Sequence, residues 1–198
     1  MDQIAKQGTI DRRLFVAKLV GACREALIVT GLGSTSYDVF AAGDDARNFY
    51  LWGAMGGAAA LGLGLAIAQP QKSVLVITGD GEQLMGLGAM ATIGVQRPAN
   101  LSLVVIDNGH FGETGMQRSH SGLGTRLTDI ARGCNFDEVT EVTEMAGIPK
   151  LAERINARAG STFVQVRVSA AETAKALPPR DGVYVKNRFR EGLGFQPM

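Results

Sequence analysis

Two apolar runs, residues 74–78 (VLVIT) and 101–106 (LSLVVI), are unbroken and rich in β-branched side chains. That is the pattern of strands buried on both faces of a parallel sheet. Between them, residues 83–95 repeat apolar positions at helical spacing and stop before Pro98. Upstream, residues 10–24 place Leu14, Phe15, Leu19 and Val20 on one helical face, with Asp11 as a capping residue. Residues 26–30 read as a short strand, 31–36 as a glycine-rich turn, and a helix is expected to begin near Tyr37. Residues 49–52 read as another strand, after which Gly53 opens a Gly/Ala-rich helix running to Ala68 and closed by Pro70. Downstream, 108–126 is a long glycine-rich loop, 127–134 a helix, 144–147 a short helical piece, 150–159 a helix and 162–168 a last strand. Strands alternating with helices predict an α/β fold with a doubly wound, mostly parallel sheet flanked by helices.

No internal repeat is visible. From Ala170 the periodicity ends. Residues 1–170 therefore read as one domain and 171–198 as a tail, either frayed or packing on a partner or over a site through Tyr184, Phe189 and Phe195.

Composition narrows the function classes. Net charge is +1, so nothing marks a nucleic-acid or membrane-surface partner. Cys23 and Cys134 are far apart and outside any CxxC spacing, which fits free cytoplasmic thiols. The N-terminus has no apolar h-region. The apolar run 55–68 is shorter than the about 20 residues needed to span a bilayer. The 26 glycines cluster at strand ends and in one helix, which favours close approach of backbone to a ligand.

The chemistry sits at the ends of the two central runs. Asp80 ends one and Asn108 follows the other, and ligands of such sheets bind outside the carboxyl ends of the strands. Two oxygen ligands on one sheet edge, with Gly79 and Gly81 beside them, outline a metal–phosphate site. Magnesium takes six oxygens, and Asp80, Asn108 and the backbone carbonyl of His110 could supply three. The N–H groups of Gly81 and Glu82 and the hydroxyls of Ser34 and Thr35 could meet an anion. Gly86–Ala91 fits GxGxxA but lies within a predicted helix, so it does not read as a dinucleotide site. His110 and His120 flank the loop and are either surface residues or substrate contacts.

Gly79-Asp80-Gly81, 25 intervening residues, then Asp107-Asn108 resembles the GDG…NN signature of thiamine-diphosphate enzymes. A second segment, Leu51-Trp52-Gly53-Ala54-Met55-Gly56, is similar to the stretch before the cofactor helix in 2-oxoacid decarboxylases and acetolactate synthases. The resemblance implies bound thiamine diphosphate and Mg2+. Asp80, Asn108 and His110 would hold the metal. Ser34, Thr35, Gly53, Ala54, Gly79, Gly81, Glu82, Phe111 and Gly112 would line the cofactor site. Met55 would prop the cofactor in its bent form, which favours its electron-sink chemistry. Asp107 departs from the first Asn of the signature.

The resemblance covers about residues 10–170 and only the diphosphate-binding half of such enzymes. The pyrimidine-binding half and its activating glutamate have no counterpart in the chain. Residues 33–40, 51–55 and 108–115 look like the β subunit of split decarboxylases such as sulfopyruvate decarboxylase, with phosphonopyruvate decarboxylase as a fused relative. The implied activity is release of CO2 and an aldehyde from a small 2-oxo acid. It would require a separate pyrimidine-binding α subunit in an α2β2 or larger assembly, with the 108–126 loop excluding water. An acetolactate-synthase-like carboligase subunit and a non-catalytic cofactor-binding subunit are the alternatives. Tyr37 stands where the subgroup tends to have Arg, and Gln117-Arg118-Ser119 replaces Gln-Pro-Thr. An anionic substrate tail would then be held elsewhere, or the substrate is a non-sulfonated, larger or aromatic 2-oxo acid.

Overall fold

The computed structural model describes residues 8–196. Residues 1–7, part of the N-terminus read as lacking an h-region, and 197–198, the end of the tail, lie outside them. Six parallel strands form one sheet: β1 (Leu27–Thr30), β2 (Asn48–Tyr50), β3 (Val74–Gly79), β4 (Leu101–Asp107), β7 (Glu138–Val142) and β8 (Thr162–Arg167). Their order is β2-β1-β3-β4-β8-β7. A two-stranded antiparallel hairpin, β5 (His110–Phe111) and β6 (Gln117–Arg118), lies outside it.

Helices cover both faces, as the unbroken apolar strands require. On one face α1 (Arg12–Ala22) and α7 (Ile148–Ala157) bury Phe15, Leu19, Leu151 and Ile155 against Leu75, Ile77 and Val104. On the other, α3 (Ala58–Ala68), α5 (Leu87–Gln96) and α6 (Leu127–Gly133) bury Leu63, Met90, Ile93 and Leu127 against Val76, Leu103 and Val105. Alternate residues of one strand thus serve opposite cores. Gly62 is required where α3 crosses β3, because a Cβ there would stand 2.2 Å from Val76 Cγ2.

The chain leaves β1 through α2 (Ser34–Ala41), goes outward to β2, then crosses back over β1 to β3. β3 is followed by α4 (Asp80–Met85). The strand order therefore reverses between β1 and β3, and a crevice opens at their carboxyl ends.

Several elements depart from the sequence expectation. α2 begins at Ser34, directly after Gly33 at φ +70, rather than near Tyr37. Ser36 folds back onto the Gly31 carbonyl at 2.5 Å and the Thr30 hydroxyl at 2.6 Å, so the hydroxyl residues close the helix start. The Gly/Ala helix begins at Ala58. Gly53 and Gly56, both at positive φ, hold a turn ahead of it. The expected 83–95 helix is two helices, α4 and α5, parted at Gly86, and α4 starts at Asp80 itself. β7, absent from the sequence expectation, is apolar only at Val139 and Val142, three residues apart, and is half-buried at the sheet edge, so it carries no period-two pattern. The 108–126 loop contains the β5–β6 hairpin and a short 3-10 turn. The tail contains α8 (Gly182–Gly192), capped by the Asp181 carboxylate, which accepts from the N–H groups of Val183 and Tyr184. Only Val185 and Phe189 of α8 are buried, too few positions to show a period. Among the described residues no helix is long and apolar enough to cross a membrane.

Candidate cofactor site

The crevice between β1 and β3 holds a cavity of about 400 Å3. The turn after β1 contributes Leu32, Gly33, Ser34 and Thr35, and the turn after β3 contributes Gly79, Asp80, Gly81 and Glu82. Asn108, His110, Phe111 and Gly112 close it from the loop after β4, and Met55 enters from the turn before α3. Of the residues singled out from sequence, these share one wall. Gly53, Ala54 and His120 do not line it. His120 instead packs edge-on against Phe111, at 6.0 Å between ring centroids.

Asp80 is 2% exposed, at the junction of β3 and α4. The Ser119 and Ser121 hydroxyls both donate to its Oδ2, leaving Oδ1 outside these contacts. Burial, reinforced by the nearby Asp107 carboxylate, pushes the Asp80 pKa up to about 6, with the two serine hydroxyls opposing. A cation beside Oδ1 would relieve both the burial and the repulsion. Asn108 Oδ1 accepts from the His110 N–H at 2.9 Å, and an amide oxygen keeps a second lone pair for a metal. The His110 ring is held by Nδ1, 2.8 Å from the Asn108 carbonyl.

Asp107 does not face the cavity; it locks the loop to the sheet. Its Oδ2 accepts from Gln165 Nε2 at 2.5 Å and Arg167 Nη1 at 2.7 Å. Its Oδ1 accepts from the Gly109 N–H and lies near the Ser121 hydroxyl, each at 2.9 Å. Glu82 carries a second buried carboxylate in the cradle, 5% exposed, accepting from the Leu32 N–H at 2.8 Å. Burial raises its pKa, while the Thr78 hydroxyl and the N–H groups of Leu32, Gly56 and Ala58 oppose. A Cβ at Gly31 would stand 1.4 Å from Glu82 Oε2, so any side chain there would displace this carboxylate. The sequence pointed to the Glu82 backbone and gave no sign of this role for its side chain.

The wall also holds residues to which the sequence assigned no cofactor contact. Arg12 reaches the cavity from α1, and Glu113 from the loop after β4. Tyr37 and Trp52 form an aromatic wall, with ring centroids 6.4 Å apart. Trp52 Nε1 donates to the Pro179 carbonyl at 2.9 Å, and Lys175 Nζ reaches Glu113 at 3.1 Å. The tail thus passes along the cavity mouth.

The donor set fits thiamine diphosphate with Mg2+. Among the described residues no group of three or more His, Cys, Asp or Glu side chains gathers to hold a metal. A cation here would rest on one carboxylate, neutral oxygens and a ligand's own anion, as magnesium does with phosphates. Gly79 leaves the cradle floor bare, with open space where a Cβ would be.

Comparison with known proteins points to the same cofactor. Residues 33–177 match the model described as "Thiamine pyrophosphate enzyme, C-terminal TPP binding domain". The chain is 46% identical over 169 residues to sulfopyruvate decarboxylase subunit beta of Methanocaldococcus jannaschii, covering 84% of this chain and 88% of that protein. It is 36% identical over 145 residues to phosphonopyruvate decarboxylase of Streptomyces viridochromogenes, covering 73% of this chain but only 36% of that one. The solved benzoylformate decarboxylase of Polynucleobacter necessarius superposes with a TM-score of 0.71 at 14% identity, covering 86% of this chain and 36% of that chain, and so shares the fold. The chain belongs to the thiamine pyrophosphate enzyme family, of which it carries the C-terminal TPP-binding domain, alongside the sulfopyruvate decarboxylase beta subunits.

Proposed function

We propose that the chain is the thiamine-diphosphate- and Mg2+-binding subunit of a 2-oxoacid decarboxylase that works with a separate pyrimidine-binding subunit in an α2β2 or larger cytoplasmic assembly. The observation that carries this is the convergence of Asp80, Asn108 and Met55 on one cavity at the strand reversal. Its likeness to subunits named beta supports the split architecture.

Bound thiamine diphosphate supplies the electron sink for loss of CO2 from a 2-oxo acid. Asp80, Asn108 and the His110 carbonyl hold the cation. Ser34, Thr35 and the N–H groups of Gly81 and Glu82 hold the diphosphate. Met55, 42% exposed in the chain alone, presents its apolar side chain where the cofactor is propped. Phe111 and the 110–118 hairpin exclude water from the reacting end. Residues 1–170 are assigned to the cofactor domain and 171–198 to a tail whose first stretch passes over the cavity mouth before α8 packs at the sheet edge.

Calorimetry with thiamine diphosphate and Mg2+ tests the site. The parent chain binds and Asp80→Ala loses the metal-dependent affinity; equal binding by both would sink the assignment. Assay of the purified chain tests the split. It turns over no 2-oxo acid until a pyrimidine-binding polypeptide is added, and robust activity of the chain alone would refute that.

A further inference from the structure

A second cavity of about 200 Å3 opens beside the first. Ser34, Tyr37, Asn108 and Glu113 line both, and the tail, from Ala170 to Lys175, supplies its outer wall. Arg12 also lines both. Its Nε donates to Asp38 Oδ2 at 2.5 Å, and Arg13 Nε donates to Asp38 Oδ1 at 3.0 Å. The Asp38 side chain is 0% exposed and that of Arg12 only 10%. Two guanidinium groups therefore share one buried carboxylate, and one positive charge is left over against the cavity wall.

That charge is held in place. Asp38 occupies the Nε edge of Arg12 and fixes the plane of its guanidinium. Neither Nη group of Arg12 has a further hydrogen bond among the described residues, and Arg12 lines both cavities. The other charges around the second cavity do not neutralise it. Lys175 and Glu113 pair with each other at 3.1 Å, and Glu172 is exposed to solvent. Arg118, the arginine gained in the loop, is exposed on β6. A preorganised guanidinium fork with a free edge suits a planar or tetrahedral oxyanion.

Resting on the decarboxylase reading above, we propose that Arg12 is a specificity-determining residue. It would bind a second anionic group (sulfonate, phosphonate or carboxylate) at the far end of the 2-oxo acid, with the side cavity as that group's subsite. The terminal phosphate of the cofactor is the other anion that could meet Arg12, and the test separates the two.

The heteromeric complex is assayed with 3-sulfopyruvate and with 4,4-dimethyl-2-oxopentanoate, a neutral acid with a tetrahedral tail of similar shape. The parent prefers the anionic acid in kcat/KM. Arg12→Gln lowers the anionic-to-neutral ratio roughly tenfold to a hundredfold, the range of one lost charge-assisted contact. Arg12→Lys, which keeps the charge, retains a higher ratio than Arg12→Gln and stands in should the glutamine variant fail to fold. Thiamine diphosphate affinity, read by calorimetry, stays within about twofold of the parent. Equal use of both acids by the parent, an unchanged ratio in both variants, or a loss confined to cofactor affinity would each overturn the assignment. Binding of the unreactive 2-hydroxy-3-sulfopropanoate to the complex, parent against Arg12 variants, decides the role of Arg12 independently of turnover. If neither 2-oxo acid loses CO2, the decarboxylase reading fails, whichever way that binding result falls.

Discussion

Replacing Gly86 with Ala tests how the Met55 turn is held. Gly86 parts α4 from α5 at φ −97, a conformation Ala adopts without strain, so only the space around it is at issue. An added Cβ would stand 2.2 Å from the Gly56 carbonyl oxygen. Ordinary contact begins near 3.4 Å, a shortfall of about 1.2 Å. The atom in the way is backbone, so rotamer change gives no relief; one of the two turns must move. Overpacking of this kind costs roughly 1–3 kcal/mol, and in a chain of this size each kcal/mol lowers Tm by about 2–4 °C. Gly56 adjoins Met55, so a shift of about an ångström carries Met55 with it, and, with Met55 in its proposed role as cofactor prop, misplacement on that scale lowers rates by up to about a hundredfold. Thermal unfolding of the chain reads the first effect, and kcat/KM of the heteromeric complex the second. Gly88→Ala is the control: it lies in α5 with nothing within 4 Å of a Cβ, and should leave stability unchanged or raise it by about 0.5–1 kcal/mol. A Gly86→Ala protein with parental Tm and parental kcat/KM would refute the argument that backbone contact between these turns positions Met55.

Asp107→Ala should destabilise the chain by roughly 2–4 kcal/mol in denaturant unfolding, because Gln165, Gly109 and the partly buried Arg167 lose their acceptor together; Asp107→Asn, which keeps the shape, should cost less. Phe189→Ala should cost about 3 kcal/mol by the same measure, since its ring is buried edge-on against Phe49 at 5.6 Å and anchors α8 to the sheet edge; a loss under about 1 kcal/mol would mean the tail is not part of the folded unit. Asp80 has a folded-state pKa above its unfolded value, so the metal-free native state binds the extra proton. Its contribution to stability is full below about pH 4 and is lost as pH rises through about 6. Saturating Mg2+ and thiamine diphosphate should reverse that trend, with affinity falling as pH drops through 6, which Tm measured from pH 4 to 8 with and without ligands would show.

The strands β3 and β4, the parallel sheet and the pairing of Asp80 with Asn108 were written in the sequence. Unbroken β-branched runs have one comfortable home, between two helical layers, and a polar residue at the end of each run must emerge at the same sheet edge. The GDG…DN spacing and the segment around Met55 were legible for the same reason: they are local, and their chemistry depends on residue type and strand–turn geometry. The edge strand β7 and the tail helix α8 were not, because a half-buried strand whose two apolar residues are three apart and a helix with two buried positions leave little periodicity to read. The side-chain role of Glu82, the locking of the loop after β4 by Asp107 and the placement of Arg12 beside the cofactor crevice were decided only by the tertiary structure. Each depends on partners distant in sequence: Leu32 for Glu82, Gln165 and Arg167 for Asp107, Asp38 for Arg12. Hydrophobic periodicity records which face of an element is buried. It does not record which charged side chain from another layer is left with a free edge toward the same cavity, because that balance exists only after α1, α2 and the tail have packed around the strand reversal.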